Sequence, residues 1–342
     1  MIHAALRDLQ WRWRRFAIAM VGVALVFAMG LIMTGLSASF SLEVDRTLEA
    51  MGAEVWAVAE DASGPFTSFV PLPATTAEDV QGSPLLVVRQ TISDDGVLAD
   101  IIVVGVDPGR LGSPQADEGS DLGGPGEAVV DEDLGIVGLG SSFSIGGREF
   151  RVVGTVSGQR LYAGVPMVYI PLPDAQAIAA QGQPVATAFL FGAEPSAVPA
   201  GLRTMGNGEV KHDVLRPLHD ARASIAFVRL LLWIVAATVI GSVLYLQAME
   251  RTRDFAVFKA TGTSTADIGL GLALQAVVLS LAAAALAAVL AVSLAPLFPM
   301  HVEIPPTAFV LLPVVTVAVG LLASLMALRR TATVQPALAF GG

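Results

Sequence analysis

The chain has 342 residues, of which 54% are hydrophobic and 15% are charged, and its formal net charge is −10. Because a soluble domain usually carries about 25% charged residues, this composition predicts a membrane protein. The acidic balance argues against a nucleic-acid partner, since phosphate binding requires Lys and Arg, and the absence of cysteine excludes disulfide bonds.

Four apolar runs predict four membrane-spanning helices. They are residues 16–39, 225–247, 268–297 and 308–328. Each run is close to or above the ~20 residues that a helix needs to cross the ~30 Å hydrocarbon core. The first run could also be a cleavable signal peptide, but its apolar stretch is longer than the ~7–15 residues of a signal sequence. We therefore expect it to be an uncleaved anchor.

The distribution of basic residues predicts the orientation of these helices. Short segments with an excess of Lys and Arg usually remain in the cytoplasm. The amino-terminal segment 1–15, the loop 248–267 and the tail 329–342 carry such residues, whereas the loop 298–307 carries none. The residues are Arg7, Arg12, Arg14, Arg15, Arg251, Arg253, Lys259, Arg329 and Arg330. Both termini and the loop 248–267 are therefore predicted to be cytoplasmic.

Residues 40–222 are then predicted to form an extracytoplasmic domain. This segment contains 25 acidic and 10 basic residues, and it is long enough for a conventional core. Gly146 and Gly147 predict a tight hairpin turn, and short helices are expected near residues 131–135 and 174–181. The domain is therefore expected to be α+β, with a hairpin-rich insert at about residues 109–165. Strand patterns occur at 54–60, 85–89, 101–104, 127–130, 143–145, 149–153, 167–170, 185–191 and 209–212.

Both ends of this domain are predicted to be helical stalks. Leu42, Val44, Leu48 and Met51 follow the first membrane helix at nearly helical spacing. Residues 215–229 are expected to run unbroken into the second membrane helix, with Pro217 in the first turn. A helix that continues from the outer domain into the membrane would act as a stiff lever.

The charged segment between the second and third membrane helices has the pattern of an amphipathic helix. Phe255 and Phe258 lie three residues apart on one face, and Arg251 borders them. Gly262 is expected to break this helix, and Ser264 or Thr265 to cap the next one. Composition leaves two interpretations open: a helix that lies on the inner leaflet, or a surface on which a partner docks.

The segment 250–264 resembles the corresponding segment of MacB/FtsX-type ABC transporter permeases. Other matches to that family are residues 5–9 with the arginines that follow, residues 129–134, 145–156 and 168–172 in the outer domain, and residues 334–338. The order of one helix, an outer domain and three helices is also that of the family. Asp254, Phe255 and Ala256 depart from the Glu-Ile or Glu-Phe-Gly that is more frequent in the family, but they leave its charge pattern intact.

The resemblance implies that the chain is the permease subunit of an ABC transporter in the bacterial cytoplasmic membrane. It implies a separate ATPase subunit, present in two copies, that binds ATP and Mg and drives movements of the outer domain for export or extraction of a substrate. The chain itself would be non-catalytic. The residues implied to contact the ATPase are Glu250, Arg251, Arg253, Asp254, Phe255, Phe258, Lys259 and Gly262, with Pro336 and Leu338 of the tail beside them.

Other partners and functions are also considered. A homodimer is expected, although a heterodimer with a paralogous permease is an alternative, and membrane lipids must surround the helices. An exporter could use a membrane-fusion protein, whereas an FtsX-like signalling subunit would activate a cell-wall hydrolase. A third alternative is a membrane receptor without an ATPase. The insert at about 109–165 favours export, and the residues that would identify a substrate are not recognisable.

The sequence contains no signature of a catalytic, cofactor-binding or metal site. It lacks the Gly-x-x-x-x-Gly-Lys-Ser/Thr motif that cradles nucleotide phosphates. Its four histidines do not have the spacing of metal ligands, and no Ser/His/Asp arrangement is recognisable. We therefore predict that ATP hydrolysis takes place on a partner.

Overall fold

A computed structural model describes residues 13–94, 97–195, 197–250, 257, 262, 264–298 and 302–332. The chain divides into two compact units, Phe40–Asp220 and a second unit formed by residues 1–39 and 221–342. Four of the described helices are long and apolar enough to cross a membrane, and an α+β unit lies between the first and second of them in the chain. The predicted fold class is therefore confirmed.

The described helices and strands are as follows. The helices are α1 (Trp13–Met51), α2 (Thr76–Val80), α3 (Leu172–Ala179), α4 (Asn207–Leu215), α5 (His219–Glu250), α6 (Thr265–Leu294) and α7 (Pro306–Ala332). The strands are β1 (Val55–Ala59), β2 (Leu72–Pro73), β3 (Ser83–Asp94), β4 (Val97–Val106), β5 (Glu118–Gly119), β6 (Glu127–Asp131), β7 (Ser142–Ile145), β8 (Arg148–Val156), β9 (Arg160–Leu161), β10 (Val165–Pro171), β11 (Val185–Ala186), β12 (Ala188–Phe191) and β13 (Leu202–Gly206).

The helical unit packs through small residues. One face of α6 places Ala276, Ala283, Ala287 and Ala291 in the core of this unit, where each is fully buried. Small side chains let helix backbones approach closely in a membrane, so this face is a packing surface. Ala284 is also buried, whereas Ala282 and Ala285 lie on the exposed side of the helix.

Helices α6 and α7 are in close contact at Gly320. A β-carbon at Gly320 would overlap the Ser280 hydroxyl and would lie 3.2 Å from the Ala276 carbonyl oxygen. Elsewhere in this unit, Arg229 of α5 donates a hydrogen bond from Nη1 to Thr34 Oγ1 of α1, at 3.3 Å. The guanidinium of Arg229 also lies over the Trp233 ring, 5.6 Å from its centroid.

The unit Phe40–Asp220 is built on a mixed sheet. Its described strands form an eleven-stranded sheet in the order β13-β1-β12-β3-β4-β10-β6-β8-β5, with β7 on β8 and β9 on β10. Most neighbours are antiparallel, but β10 runs parallel to β4 and β6 runs parallel to β8. The strands between residues 109 and 165 all join this sheet, so the predicted hairpin-rich insert is continuous with the rest of the domain.

Two local predictions in this unit are confirmed. Gly146 and Gly147 form the two-residue turn between β7 and β8, with φ values of +58° and +80° that favour glycine. A short 3₁₀ turn at Glu132–Leu134 lies where a helix was predicted. Asp131 caps it by accepting a hydrogen bond from the Asp133 backbone N–H at 3.0 Å.

Two other predictions near the second stalk are wrong. Residues 209–212 do not form a strand, because they lie inside α4 and Glu209 accepts a hydrogen bond from the Gly206 N–H at the start of that helix. The strand of this region is β13 instead. The stalk is also not one unbroken α-helix. A 3₁₀ turn at Arg216–Leu218 separates α4 from α5, at the place where Pro217 lacks the N–H that continuous α-helical bonding requires.

Replacing Gly320 tests the close packing of α6 on α7. We expect Gly320→Val to reduce the stability of the chain by roughly 1–3 kcal/mol, because the added side chain cannot fit without displacing Ser280. Gly271→Val is the matched control in a neighbouring helix, since a β-carbon there meets no atom within 4 Å. Thermal unfolding of both variants in a neutral detergent measures the difference. Equal melting temperatures would contradict the packing shown.

Candidate functional site

Two described residues flank the predicted coupling segment. Glu250 is the exposed last residue of α5, and Gly262 has a φ of +94° that a residue with a β-carbon rarely adopts. Between them, Val257 is helical and 46% exposed. The other predicted contact residues lie outside the described residues: Arg251, Arg253, Asp254, Phe255, Phe258, Lys259, Pro336 and Leu338.

Ser264 caps the helix that follows the segment, as predicted. Its hydroxyl oxygen accepts a hydrogen bond from the Asp267 N–H at 3.1 Å, and the Ser264 N–H donates to Asp267 Oδ2 at 3.3 Å. This reciprocal arrangement satisfies two donors at the start of α6. The beginning of the third membrane helix is therefore fixed locally, immediately after the glycine that breaks the segment.

The second part of the candidate site is the carboxyl-terminal part of α1, which we call the first stalk. The first stalk comprises residues 40–51, about three helical turns. Phe40, Val44, Leu48 and Met51 are buried along one face of it, whereas Leu42 is half-buried. Three of the four residues predicted from helical spacing therefore pack in the core of the outer domain. Gly52, with a φ of +66°, ends the helix.

Polar contacts fasten the first stalk to the domain. Thr47 is fully buried, and its hydroxyl donates to the Arg160 carbonyl oxygen at 3.2 Å. Lys211 of α4 donates to both carboxylate oxygens of Asp45, at 2.7 and 2.6 Å. Hydrogen bonds are directional, so these contacts fix the rotation and the axial position of the stalk more narrowly than apolar packing does.

A charged cluster lies beside Thr47, buried except for the half-exposed Asp133, and we call it the anchor cluster. It consists of Arg160, Asp131, Asp133 and Glu43. The Arg160 side chain is 8% exposed, and its Nε lies 3.9 Å from Oδ1 of the fully buried Asp131. Its Nη1 donates to the Asp133 carboxylate. The carboxylate of Glu43 is within electrostatic reach of both Arg160 and Asp131. The anchor cluster therefore joins α1 to β6 and β9.

Burial has the largest effect on the pKa of Asp131. Its Oδ2 accepts a hydrogen bond from the Gln159 N–H at 2.6 Å, and Arg160 stabilises its charge, but loss of water outweighs both effects. Burial raises the pKa of Asp131 from 3.8 to about 6. The side chain of Gln159 also accepts a hydrogen bond from the Tyr169 hydroxyl, which is buried in the same region. The anchor cluster therefore has a carboxyl group that titrates close to neutral pH.

The second stalk, which in the structure comprises α4, the 3₁₀ turn and the first turns of α5, is fastened to the domain through Asn207, the first residue of α4. The Trp56 Nε1–H of β1 donates to Asn207 Oδ1 at 2.7 Å, and Asn207 Nδ2 donates to the Ala53 carbonyl oxygen at 2.9 Å. Trp56 is fully buried, so this contact ties the start of α4 to the sheet core. Both stalks are therefore held by side chains that the sequence did not identify as functional.

Sequence reasoning missed the anchor residues, although weak signals were present. Glu43 and Thr47 lie four residues apart on the stalk, beside the apolar residues Val44 and Leu48. A charged and a polar residue at the edge of a buried stripe usually have polar partners.

Within the described residues, no group of three His, Cys, Asp or Glu residues could hold a metal ion.

Comparisons with known proteins agree with this architecture. Residues 17–203 match the family described as MacB-like periplasmic core domain, and residues 226–336 match the FtsX-like permease C-terminal family. Uncharacterized ABC transporter permeases of Mycobacterium bovis and Mycobacterium tuberculosis are 41% identical over 349 residues, covering 100% of both chains, and another of Mycobacterium tuberculosis is 40% identical over the same length. The extracellular domain of the noncanonic ABC-type transporter YknZ from Gram-positive bacteria aligns with 50% of the chain, at 14% identity and a TM-score of 0.30.

The pKa of Asp131 predicts how the stability of the domain depends on pH. Because its folded pKa of about 6 exceeds the ordinary 3.8, folding takes up a proton between these values. The resulting stabilisation is complete below pH 3.8 and is lost as pH rises through 6. It amounts to at most about 3 kcal/mol, or roughly 5–10 °C in melting temperature.

We expect the melting temperature of the wild-type chain to fall relative to that of Asp131→Asn between pH 4 and pH 7. Asp107→Asn is the control, since it removes a carboxylate that forms a more exposed pair with Arg110. Melting curves of the full chain in neutral detergent give the comparison. Parallel pH profiles for wild type and Asp131→Asn would show that Asp131 does not titrate in this range.

Proposed function

We propose a mechanical coupling role for this chain, which belongs to the MacB/FtsX-type ABC transporter permeases. In this proposal, a separate ATPase subunit binds ATP and Mg and docks on the segment 250–262. Its opening and closing move the membrane helices, and the stalks pass this movement to the outer domain. The chain contributes no catalytic residue of its own. The observation that carries the proposal is the continuity of α1 with the anchored first stalk.

Helix α1 has the properties of a lever. Its 39 residues form one α-helix of about 58 Å, which includes both the first predicted span and the first stalk. No proline interrupts it, and its last turns are fastened by Thr47, Asp45 and the anchor cluster. A displacement along or around the helix axis at one end would therefore reach β6 and β9 with little loss.

The second stalk supports a different kind of coupling. The proposed docking segment follows α5 directly, and α5 follows α4 through the 3₁₀ turn at Arg216–Leu218. Short 3₁₀ segments between α-helices often act as hinges. Movement of the docking segment would thus reach the sheet through Asn207 by way of a bend. With α1 as a stiff connection and the second stalk as a jointed one, movement of the membrane helices would change the angle of the outer domain.

The assembly proposed for this function is a homodimer with two ATPase subunits. In the helical unit, α5 has the most exposed apolar surface of the described membrane helices, including Phe227, Leu230, Leu231 and Ile234. Such a surface requires lipid or another protein chain as its surroundings. Export or extraction of a substrate is the proposed outcome, with the chain in the bacterial cytoplasmic membrane and both termini in the cytoplasm.

The docking proposal predicts that Phe255→Ala together with Phe258→Ala uncouples the ATPase. Aromatic anchors at interface centres typically contribute about 2 kcal/mol or more each, so the double variant should bind the ATPase at least roughly tenfold more weakly. The measurement is co-purification and ATPase activity of the reconstituted complex. Val257→Ala is the control, because a helix through this segment, as predicted from the sequence, would place Val257 about 200° away from Phe255. Wild-type affinity and ATPase activity in the double variant would refute docking through these residues.

The proposed orientation predicts the accessibility of single cysteines, which the cysteine-free chain makes simple to measure. Ser120→Cys lies at an exposed position of the outer domain and should react with a membrane-impermeant maleimide on intact cells. Ala266→Cys lies at an exposed position after the docking segment and should react only after the cells are opened. Labelling of Ala266→Cys from outside would reverse the orientation.

A further inference from the structure

A surface cavity in the unit Phe40–Asp220 has the composition of a ligand site. It has a volume of about 440 Å³, within the range of about 300–1,000 Å³ typical of small-molecule pockets. Its walls are mainly apolar and aromatic, which suits a hydrocarbon or ring better than a strongly hydrated ligand. These walls are formed by Phe66, Phe69, Val87, Val88, Tyr162 and Pro217.

Arg89 is the charged group of this cavity. It lies on β3 with its side chain exposed, and its guanidinium carbon is 3.9 Å from the centroid of the Tyr162 ring. No carboxylate of the described residues lies within 4 Å of it, although the segment 40–222 contains 25 acidic and only 10 basic residues. By contrast, Arg110, Arg148, Arg160, Arg216 and Lys211 each have an aspartate partner at that distance or less.

The other polar groups of the cavity already have partners. Thr67 donates a hydrogen bond to the Asp213 carboxylate, and the Ser68 hydroxyl oxygen accepts one from the Ser63 N–H at 3.0 Å. The Tyr162 hydroxyl donates to the Phe66 carbonyl oxygen at 2.8 Å, which fixes the ring beneath Arg89. Burial raises the pKa of Tyr162, so the hydroxyl remains a donor at neutral pH. The Arg89 guanidinium also hydrogen-bonds the Tyr162 hydroxyl, and its remaining N–H donors are left to bind a ligand.

We propose that this cavity binds an amphiphile with a single anionic head group. Its apolar part would lie against Phe66, Phe69 and Val88, and its carboxylate or phosphate would accept hydrogen bonds from Arg89. Guanidinium groups bind both anions through paired N–H donors, and the aromatic face of Tyr162 stabilises the cation while it is desolvated. A cationic head group would be repelled by Arg89, and an uncharged one would leave its charge without a counter-ion.

Pro217 links this cavity to the second stalk. Pro217 forms part of the cavity wall and lies in the 3₁₀ turn between α4 and α5. An occupant would therefore contact the element that precedes the second predicted membrane span. The binding site itself goes beyond the proposed coupling function and does not depend on it, because ligand binding can be measured without any ATPase.

The test uses the full chain in nanodiscs of phosphatidylcholine, a lipid without net charge. The fluorescent probe is 11-(dansylamino)undecanoate, and empty nanodiscs provide the correction for partition into lipid. We expect saturable binding that dodecanoate and dodecyl phosphate displace at least roughly tenfold more effectively than dodecanol or dodecyltrimethylammonium. The ratio between the carboxylate and the phosphate competitor shows which head group the site prefers.

Two variants test the assigned residues. Arg89→Gln should weaken binding of dodecanoate by roughly tenfold or more and leave binding of dodecanol nearly unchanged, since only the charged hydrogen bonds are lost. Arg151→Gln is the matched control, an exposed arginine on β8 outside the cavity. Phe69→Ala, at a residue that is 48% exposed and therefore tolerant of replacement, should weaken binding of both ligands.

The outcomes separate clearly. Saturable binding that depends on the anionic head group and on Arg89 supports the site. Three results would overturn it: no saturable binding above empty nanodiscs, equal displacement by dodecanoate and dodecanol, or the same affinity in Arg89→Gln and Arg151→Gln. If Arg89→Gln fails to fold, as judged by its melting temperature, the competitor series and Phe69→Ala still decide the question.

Discussion

The attachment of α1 to the outer domain depends on a buried arginine. Removing Arg160 from water is costly, and this cost is partly offset because its Nη1 donates to Asp133 and its Nε lies 3.9 Å from Asp131, while Thr47 binds its backbone carbonyl. Apolar packing along Phe40, Val44 and Leu48 would tolerate small rotations of the helix. The charged groups would not, because a displaced Arg160 would leave Asp131 buried without a counter-ion. The anchor cluster therefore fixes the position of α1 relative to β6 and β9.

The two stalks differ in a way that follows from single residues. Helix α1 ends abruptly at Gly52, whose N–H donates to the Glu49 carbonyl oxygen at 3.1 Å, and up to that point it contains no proline. The second stalk contains Pro217, which lacks a backbone N–H donor and lies in the 3₁₀ turn. In the proposed coupling, a stiff element and a jointed element on the same domain would make it pivot. If both arms were stiff, movement of the membrane helices would have to strain the sheet.

Local patterns in the sequence identified the elements, whereas contacts between distant residues could not be predicted from them. Helix length, the glycine turn at Gly146 and the cap at Ser264 depend on neighbouring residues, and each follows from composition and spacing. Thr47 and Arg160 are 113 residues apart, and Asp45 and Lys211 are 166 apart, so no periodicity connects them. The strand predicted at residues 209–212 was wrong for a related reason. The local pattern fits a strand or a helix, and the hydrogen bond from the Gly206 N–H to Glu209 favours the helix. The docking segment was predicted from charge and resemblance alone.

If the 3₁₀ turn between α4 and α5 has two conformations, thermodynamic linkage couples ligand binding in the cavity to movement of α5. A ligand that contacts Pro217 in one conformation more favourably than in the other shifts their populations by that difference in binding free energy, and by no more. The same free energy must then appear in the opposite direction, so that a movement of α5 imposed from the docking segment changes the ligand affinity by an equal factor. A tightly bound occupant that contacts Pro217 equally in both conformations would transmit nothing. The quantity that decides whether the cavity takes part in transport is therefore the difference in affinity between the two conformations, and not the affinity itself.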